Sequence, residues 1–147
     1  MDARERFERT RKAVKRLAEV QALIMYDCDD WHPPGVKAHN ETSDPTAKRA
    51  IYNVDELAEK LTALRAEERE LIQLIGESGT IIEAVKSGFI DKYGYVLEWR
   101  YIDCETWASI ADAYDVTERT VQNWAQWACE WIDSVGVSRL LRGEVEV

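Results

Sequence analysis

The sequence predicts an all-α protein, a long antiparallel helical hairpin followed by a C-terminal helix-turn-helix domain of three to four helices. Apolar side chains recur at three-and-four spacing through most of the chain, and strand-like alternation is lacking. Only seven Gly and three Pro interrupt 147 residues, of which 32% are charged and 46% hydrophobic, a balance that favours amphipathic helices with a real core. Five of the six Trp fall between Trp99 and Trp131, so the C-terminal third must be a compact aromatic core. The expected division is a hairpin over 1–78 with a loop at about 27–44, a helix-turn-helix domain over 79–135, and a tail over 136–147.

The first helix is expected from about Ala3 to Tyr26, where Phe7, Val14, Leu17 and Ile24 form a stripe interrupted by polar Thr10 and Gln21. Its basic residues lie mostly off that stripe, as a solvated or a phosphate-contacting face. Periodicity stops between Asp27 and Asp44, where Pro33-Pro34-Gly35 marks a loop. Cys28, His32 and His39 beside Asp29, Asp30 and Glu41 have zinc-ligand chemistry. Their spacing matches no standard knuckle and no second Cys pair closes a site, so an acidic connector without a metal is expected.

Ser43-Asp44-Pro45 restarts helix with a cap and a first-turn proline. Ala50, Val54, Leu57, Leu61, Leu64, Leu71 and Ile75 then run as a heptad seam, with Glu68 at the skipped position. So narrow a seam needs a partner helix along its length. The first helix folded back can supply it, as can the same helix of a second copy, and both hold in a four-helix dimer. A homodimer is expected. Gly76 to Gly79 is expected to end this helix, Thr80 to cap a short one closed at Gly88, and Phe89 to Ile102 to form another with Phe89, Tyr93, Val96, Leu97 and Tyr101 facing inward.

From Thr106 to Trp131 helical spacing breaks once, at Asp115-Val116-Thr117, which predicts two helices joined by a tight turn. Asp115 takes a turn position that often needs positive φ, small Ala111 permits a close crossing, and Thr117 caps the second helix with Glu118 on its first turn. In that helix Val121, Trp124, Ala125, Ala128, Trp131 and Ile132 share the inner side, and Arg119, Gln122, Asn123 and Gln126 the outer. Arg pairs with guanine edges and Gln or Asn with adenine edges, so Thr117, Glu118, Arg119, Gln122, Asn123 and Gln126 are the candidate DNA-binding residues.

The formal net charge is −9, unevenly spread. Residues 1–26 carry seven basic side chains against four acidic ones, whereas residues 100–133 carry two against seven. Phosphate neutralisation supplies most non-specific DNA affinity. DNA reading by this domain therefore needs help from dimerisation, the basic first helix or a partner. No Gly-rich phosphate loop or nucleophile motif is present, and both His lie in the loop, so neither an enzyme nor a cofactor is expected. The N-terminus is a charged run, no apolar segment approaches the ~20 residues a bilayer needs, and three scattered Cys fit a reducing compartment. A cytoplasmic chain without membrane contact is expected.

The run LEWRYIDCETWASIADAYDVTERTVQNWAQWA resembles region 4 of bacterial sigma factors through Arg100-Tyr101, Ile110-Ala111, Tyr114, Val116-Thr117 and Thr120-Val121. With the helical hairpin before it, the chain to about Ile132 resembles small phage-encoded regulators of the RinA and ArpU type. That resemblance implies a phage or prophage transcriptional regulator that reads double-stranded DNA through the second helix. The chain departs from the family at Asp115, where Gly is common, and at Gln122, Asn123, Gln126 and Glu130, where basic residues are usual. The alternative expectation is an acidic adaptor that docks on RNA polymerase or another partner without reading DNA.

Overall fold

The computed structural model describes residues 2–30 and 44–143, with side chains described for 2–26 and 54–143. The fold is all-α: the described residues form helices α1 (Ala3–Asp30), α2 (Asp44–Gly88), α3 (Asp91–Leu97), α4 (Trp107–Tyr114), α5 (Glu118–Val135) and α6 (Val137–Leu141), with a π-helical continuation of α3 over Glu98–Ile102. The chain divides into two compact units, Met1–Arg16 with Leu71–Val147, and Leu17–Glu70.

The unit Leu17–Glu70 is the helical hairpin, the C-terminal part of α1 returning as the N-terminal part of α2. Among its described residues Val20 and Ile24 of α1 and Leu64 of α2 are the buried apolar side chains, and Leu17, Val54, Leu57 and Leu61 are half-buried. α1 extends to Asp30, past the expected end at Tyr26. The rest of the expected loop, with His32 and His39, lies outside the described residues, as does the side chain of Cys28.

The other unit begins with the first half of α1, whose exposed amides are satisfied twice. Asp2 Oδ1 accepts from the Glu5 amide at 2.8 Å, and Asp133 of α5 accepts from the Ala3 amide at 2.9 Å. Ala3, Phe7, Thr10 and Ala13 face inward. Thr10, expected to interrupt the stripe, is fully buried within it. Its hydroxyl is bonded to the Arg6 carbonyl at 2.9 Å and to the Ser78 hydroxyl at 2.6 Å, which removes the cost of burying it. Arg6 also pairs with Glu77.

The expected helix end at Gly76 to Gly79 does not occur; α2 runs unbroken to Gly88. Thr80 is no cap, since its hydroxyl donates back to the Gly76 carbonyl at 3.1 Å. Each mid-helix Gly costs about 1 kcal/mol relative to Ala. Burial of Ile81, Ile82 and Val85 on the continuing face outweighs that.

Ile90 is extended (φ −127°, ψ 121°), so the next helix starts at Asp91 and not at the expected Phe89. Phe89 is 40% exposed and stacks on Trp131, 5.3 Å between ring centres. Tyr93, Val96, Leu97 and Tyr101 are buried as expected. Gly94 lies where α3 meets the end of α2, its Cα facing the Ile82 carbonyl and the Lys86 backbone. The Asp103 amide reaches back to the Glu98 carbonyl at 3.0 Å, the widened i to i−5 spacing of a π turn. Cys104 at φ 58° then turns the chain toward α4.

The tail, for which no element was expected, contains α6, and its Leu140 is 1% exposed. Gly136 at φ 100° makes the bend from α5. No helix among the described residues is long and apolar enough to cross a membrane.

Candidate nucleic-acid interface

α4 is fixed at both ends by its own sequence. Thr106 is extended and its hydroxyl accepts from the Ser109 amide at 3.1 Å, a side-chain N-cap. At the C-terminus Asp115 adopts the left-handed conformation (φ 55°, ψ 47°). Its amide bonds to the Asp112 carbonyl at 3.2 Å and that of Val116 to the Ala111 carbonyl at 3.0 Å. That pair of bonds is a Schellman motif, with Asp where Gly is commonest. Val116 then packs half-buried against the core.

Thr117 follows at φ −78°, ψ 157°, and its hydroxyl accepts from the Thr120 amide at 3.3 Å to start α5. The turn from Asp115 to Thr117 is therefore built from three local signals: a left-handed residue, an apolar plug and a cap.

α5 divides as its periodicity dictates. Val121, Ala125, Ala128 and Ile132 are buried, and Cys129 joins them. Burial first, then the charge of Asp133, pushes the Cys129 thiol up to about 12. Trp124 and Trp131 are half-buried instead. Trp124 lies 6.0 Å from Tyr93 of α3 and edge-on to Tyr114 of α4 at 5.5 Å, with Lys92 Nζ 4.4 Å over its ring. This aromatic junction fixes α5 against both neighbours.

On the other side Arg119, Gln122 and Gln126 are exposed and Asn123 is half-buried. These four form one wall of a cleft of about 490 Å³, whose floor is Ala125 and Cys129 and whose opposite side is Arg4 of α1 with Tyr101 and Trp107. The cleft is lined by two cations, Arg4 and Arg119, and no carboxylate, although residues 100–133, which supply the rest of its lining, are strongly acidic overall. Gln126 also donates to Glu130 at 3.3 Å along the helix. Thr117 and Glu118 lie outside the lining; both are exposed, and the Thr117 hydroxyl is held by its capping role.

The far rim is held by Arg100, whose guanidinium lies 4.6 Å over the Trp107 ring and donates to the Glu105 carbonyl at 3.2 Å. Burial, followed by the nearby charge of Arg11, depresses the Arg100 pKa. Tyr101 stacks on Phe7 at 5.3 Å, and burial raises its phenol, so it enters the cleft as a neutral group.

Arg4, Tyr101 and Trp107 were not among the expected site residues. They approach α5 only through tertiary packing, and the one sequence hint was the excess of basic residues near the N-terminus. No known protein family, curated protein or solved structure matches this chain.

Proposed function

We propose that this protein is a DNA-binding transcriptional regulator that reads duplex DNA through α5, in the manner of the phage regulators its sequence resembles. The observation that carries the reading is the polar wall of α5. Arg119, Gln122, Asn123 and Gln126 stand together beyond a capped helix-turn-helix joint, beside Arg4. An arginine and three carboxamides along the first half of a helix match the donors and acceptors of base edges in the major groove. The packing of α5 is carried by Val121, Ala125, Ala128 and Ile132 and not by this wall, so substitutions in the wall should leave the fold in place. A homodimer of the chain would present two such walls to two half-sites.

Selection from a random duplex pool with the purified full chain tests the proposal. Enrichment of a defined motif is the expected result. Complete absence of binding at low salt would remove it and favour the second reading, an acidic adaptor docking on RNA polymerase or another basic surface. That reading draws on the seven acids against two bases in residues 100–133 and on the half-exposed ring of Trp127.

A further inference from the structure

The polar wall of α5 carries one cation, Arg119, which is too little charge to hold a duplex. α1 brings more. Arg4, Glu8, Arg11 and Lys15 follow at i, i+4, i+7 and i+11, one stripe on the helix surface adjoining the buried stripe of Ala3, Phe7 and Thr10. The Phe7–Tyr101 stack and the contact of Cys104 Sγ with the Arg11 carbonyl, at 3.9 Å, set this stripe against the segment that bears Arg100. Among the described residues no ion pair neutralises Arg4, Arg11, Lys15, Arg100 or Arg119.

Arg11 and Arg100 are mutually repelling neighbours, and the Nε atoms of both are buried without a hydrogen-bond partner among the described residues. Two guanidinium groups set side by side concentrate positive charge that an anion at their Nη ends would relieve. Glu8 is the one carboxylate on the stripe and contributes to the field at Arg100. The band is continuous with the cleft, because Arg4 lines it and Arg100 stacks on Trp107, which also lines it.

We infer that the N-terminal half of α1 is the backbone-gripping element of the interface, with Arg4 and Arg11 contacting phosphates of the duplex whose bases face α5. The inference rests on the DNA-reading proposal above. It assigns affinity to α1 and sequence choice to α5, a division in which the phosphate contacts carry no sequence information.

The test is the salt dependence of binding to a random-sequence duplex, measured from about 50 to 200 mM salt for the full chain and its variants. In Arg4→Gln/Arg11→Gln the slope of log K against log salt should fall by about 2, close to 0.9 for each lost phosphate contact. Arg65→Gln/Arg69→Gln removes the same charge from exposed positions of α2 and should keep the wild-type slope. Arg11→Lys alone should keep most of it, since the charge remains. Arg4 is exposed, so Arg4→Gln alone, with an expected fall of about 1, covers the case in which the double variant folds poorly. An unchanged slope in both α1 variants overturns the inference, as does an equal fall in the α2 pair. In either case a motif still selected by the wild type leaves the DNA-reading proposal standing. Wild-type protein that fails to bind any duplex at low salt sinks both.

Discussion

Replacing Gly94 by Ala sets two effects of opposite sign against each other. In an unconstrained helix interior Ala is better than Gly by about 0.8–1.0 kcal/mol. At Gly94 the added Cβ would fall inside contact distance of Lys86 Cγ and only 3.2 Å from both the Ile82 carbonyl and the Lys86 amide. The two backbone atoms belong to α2 and cannot yield alone. The Lys86 side chain is held by Glu98 at 2.9 Å and Glu83 at 3.1 Å, with its ammonium 4.2 Å over the Tyr95 ring. Relief therefore means moving α3 off α2, which loosens the packing of Ile82, Val85, Val96 and Leu97. Overpacking of this kind costs about 1–3 kcal/mol, and disturbing partly exposed ion pairs adds roughly 0–1. After the propensity gain, a net loss of about 1–2 kcal/mol is expected, or a fall in Tm of roughly 5–15 °C for a cooperative unit of this size. The same change at Gly76 or Gly79 meets nothing within 4 Å and should raise stability by up to about 1 kcal/mol. Thermal melts followed by circular dichroism compare all three. A Tm for Gly94→Ala equal to or above that of Gly76→Ala would show that α3 and α2 do not approach closely there.

Asp115→Gly should stabilise the protein by roughly 0.5–1 kcal/mol, because Asp115 holds φ 55° against a steric penalty that Gly lacks; a lowered melting temperature would contradict the Schellman turn. Trp124→Ala should cost about 3 kcal/mol, since it removes the ring that joins Tyr93 and Tyr114, and a wild-type melt would mean the face of α5 is rotated. Gln122→Ala and Asn123→Ala should each leave stability within about 0.5 kcal/mol while relaxing sequence choice by roughly 1–3 kcal/mol; identical selected motifs in both variants would take α5 out of the reading role. With its thiol pushed up to about 12, Cys129 should resist alkylation at neutral pH until the chain unfolds, and rapid labelling of the native protein, located by mass spectrometry, would place it at the surface.

What the sequence made legible was local. Asp115 and Thr117 announce the turn because a left-handed residue and an N-cap act within three or four positions of themselves. The polar wall of α5 is equally readable, as 3.6-residue periodicity separates it from Val121, Ala128 and Ile132. Glycine shows where local reading ends. Gly76 and Gly79 look like a helix stop and lie inside a helix, whereas Gly94 looks incidental and sits at a crossing. Nothing near either in sequence distinguishes them, because the deciding neighbours are buried faces and backbone from another element. Thr10 was opaque for the same reason: its partner Ser78 lies 68 positions away. Arg4, Tyr101 and Trp107 joined the site through such distant packing too.

The acidic composition bears on DNA reading less than its sum suggests. Exposed charges more than about 10 Å apart are largely screened at 0.1 M salt, so a phosphate responds to what lines its own contact surface and not to the total for a domain. At the cleft that local set is Arg4 and Arg119 on the lining, with Arg100 and Arg11 continuing from its Trp107 rim, against Glu130 bonded to Gln126 and Asp133 beside Cys129. The hairpin bears on the question through stoichiometry. Leu64 of the α2 seam is buried in the unit that also buries Val20 and Ile24, whereas Val54, Leu57 and Leu61 are only half-buried, so a single chain covers the described part of the seam incompletely. On the proposed reading the case for a dimer also rests on two half-sites, since one α5 would offer few base contacts with which to select among genomic competitors. A chain that grips phosphates through α1 lowers that demand on affinity and leaves the demand on specificity where it was. Duplex selection should accordingly return a two-fold symmetric motif if two chains bind together, and a single half-site if one chain suffices.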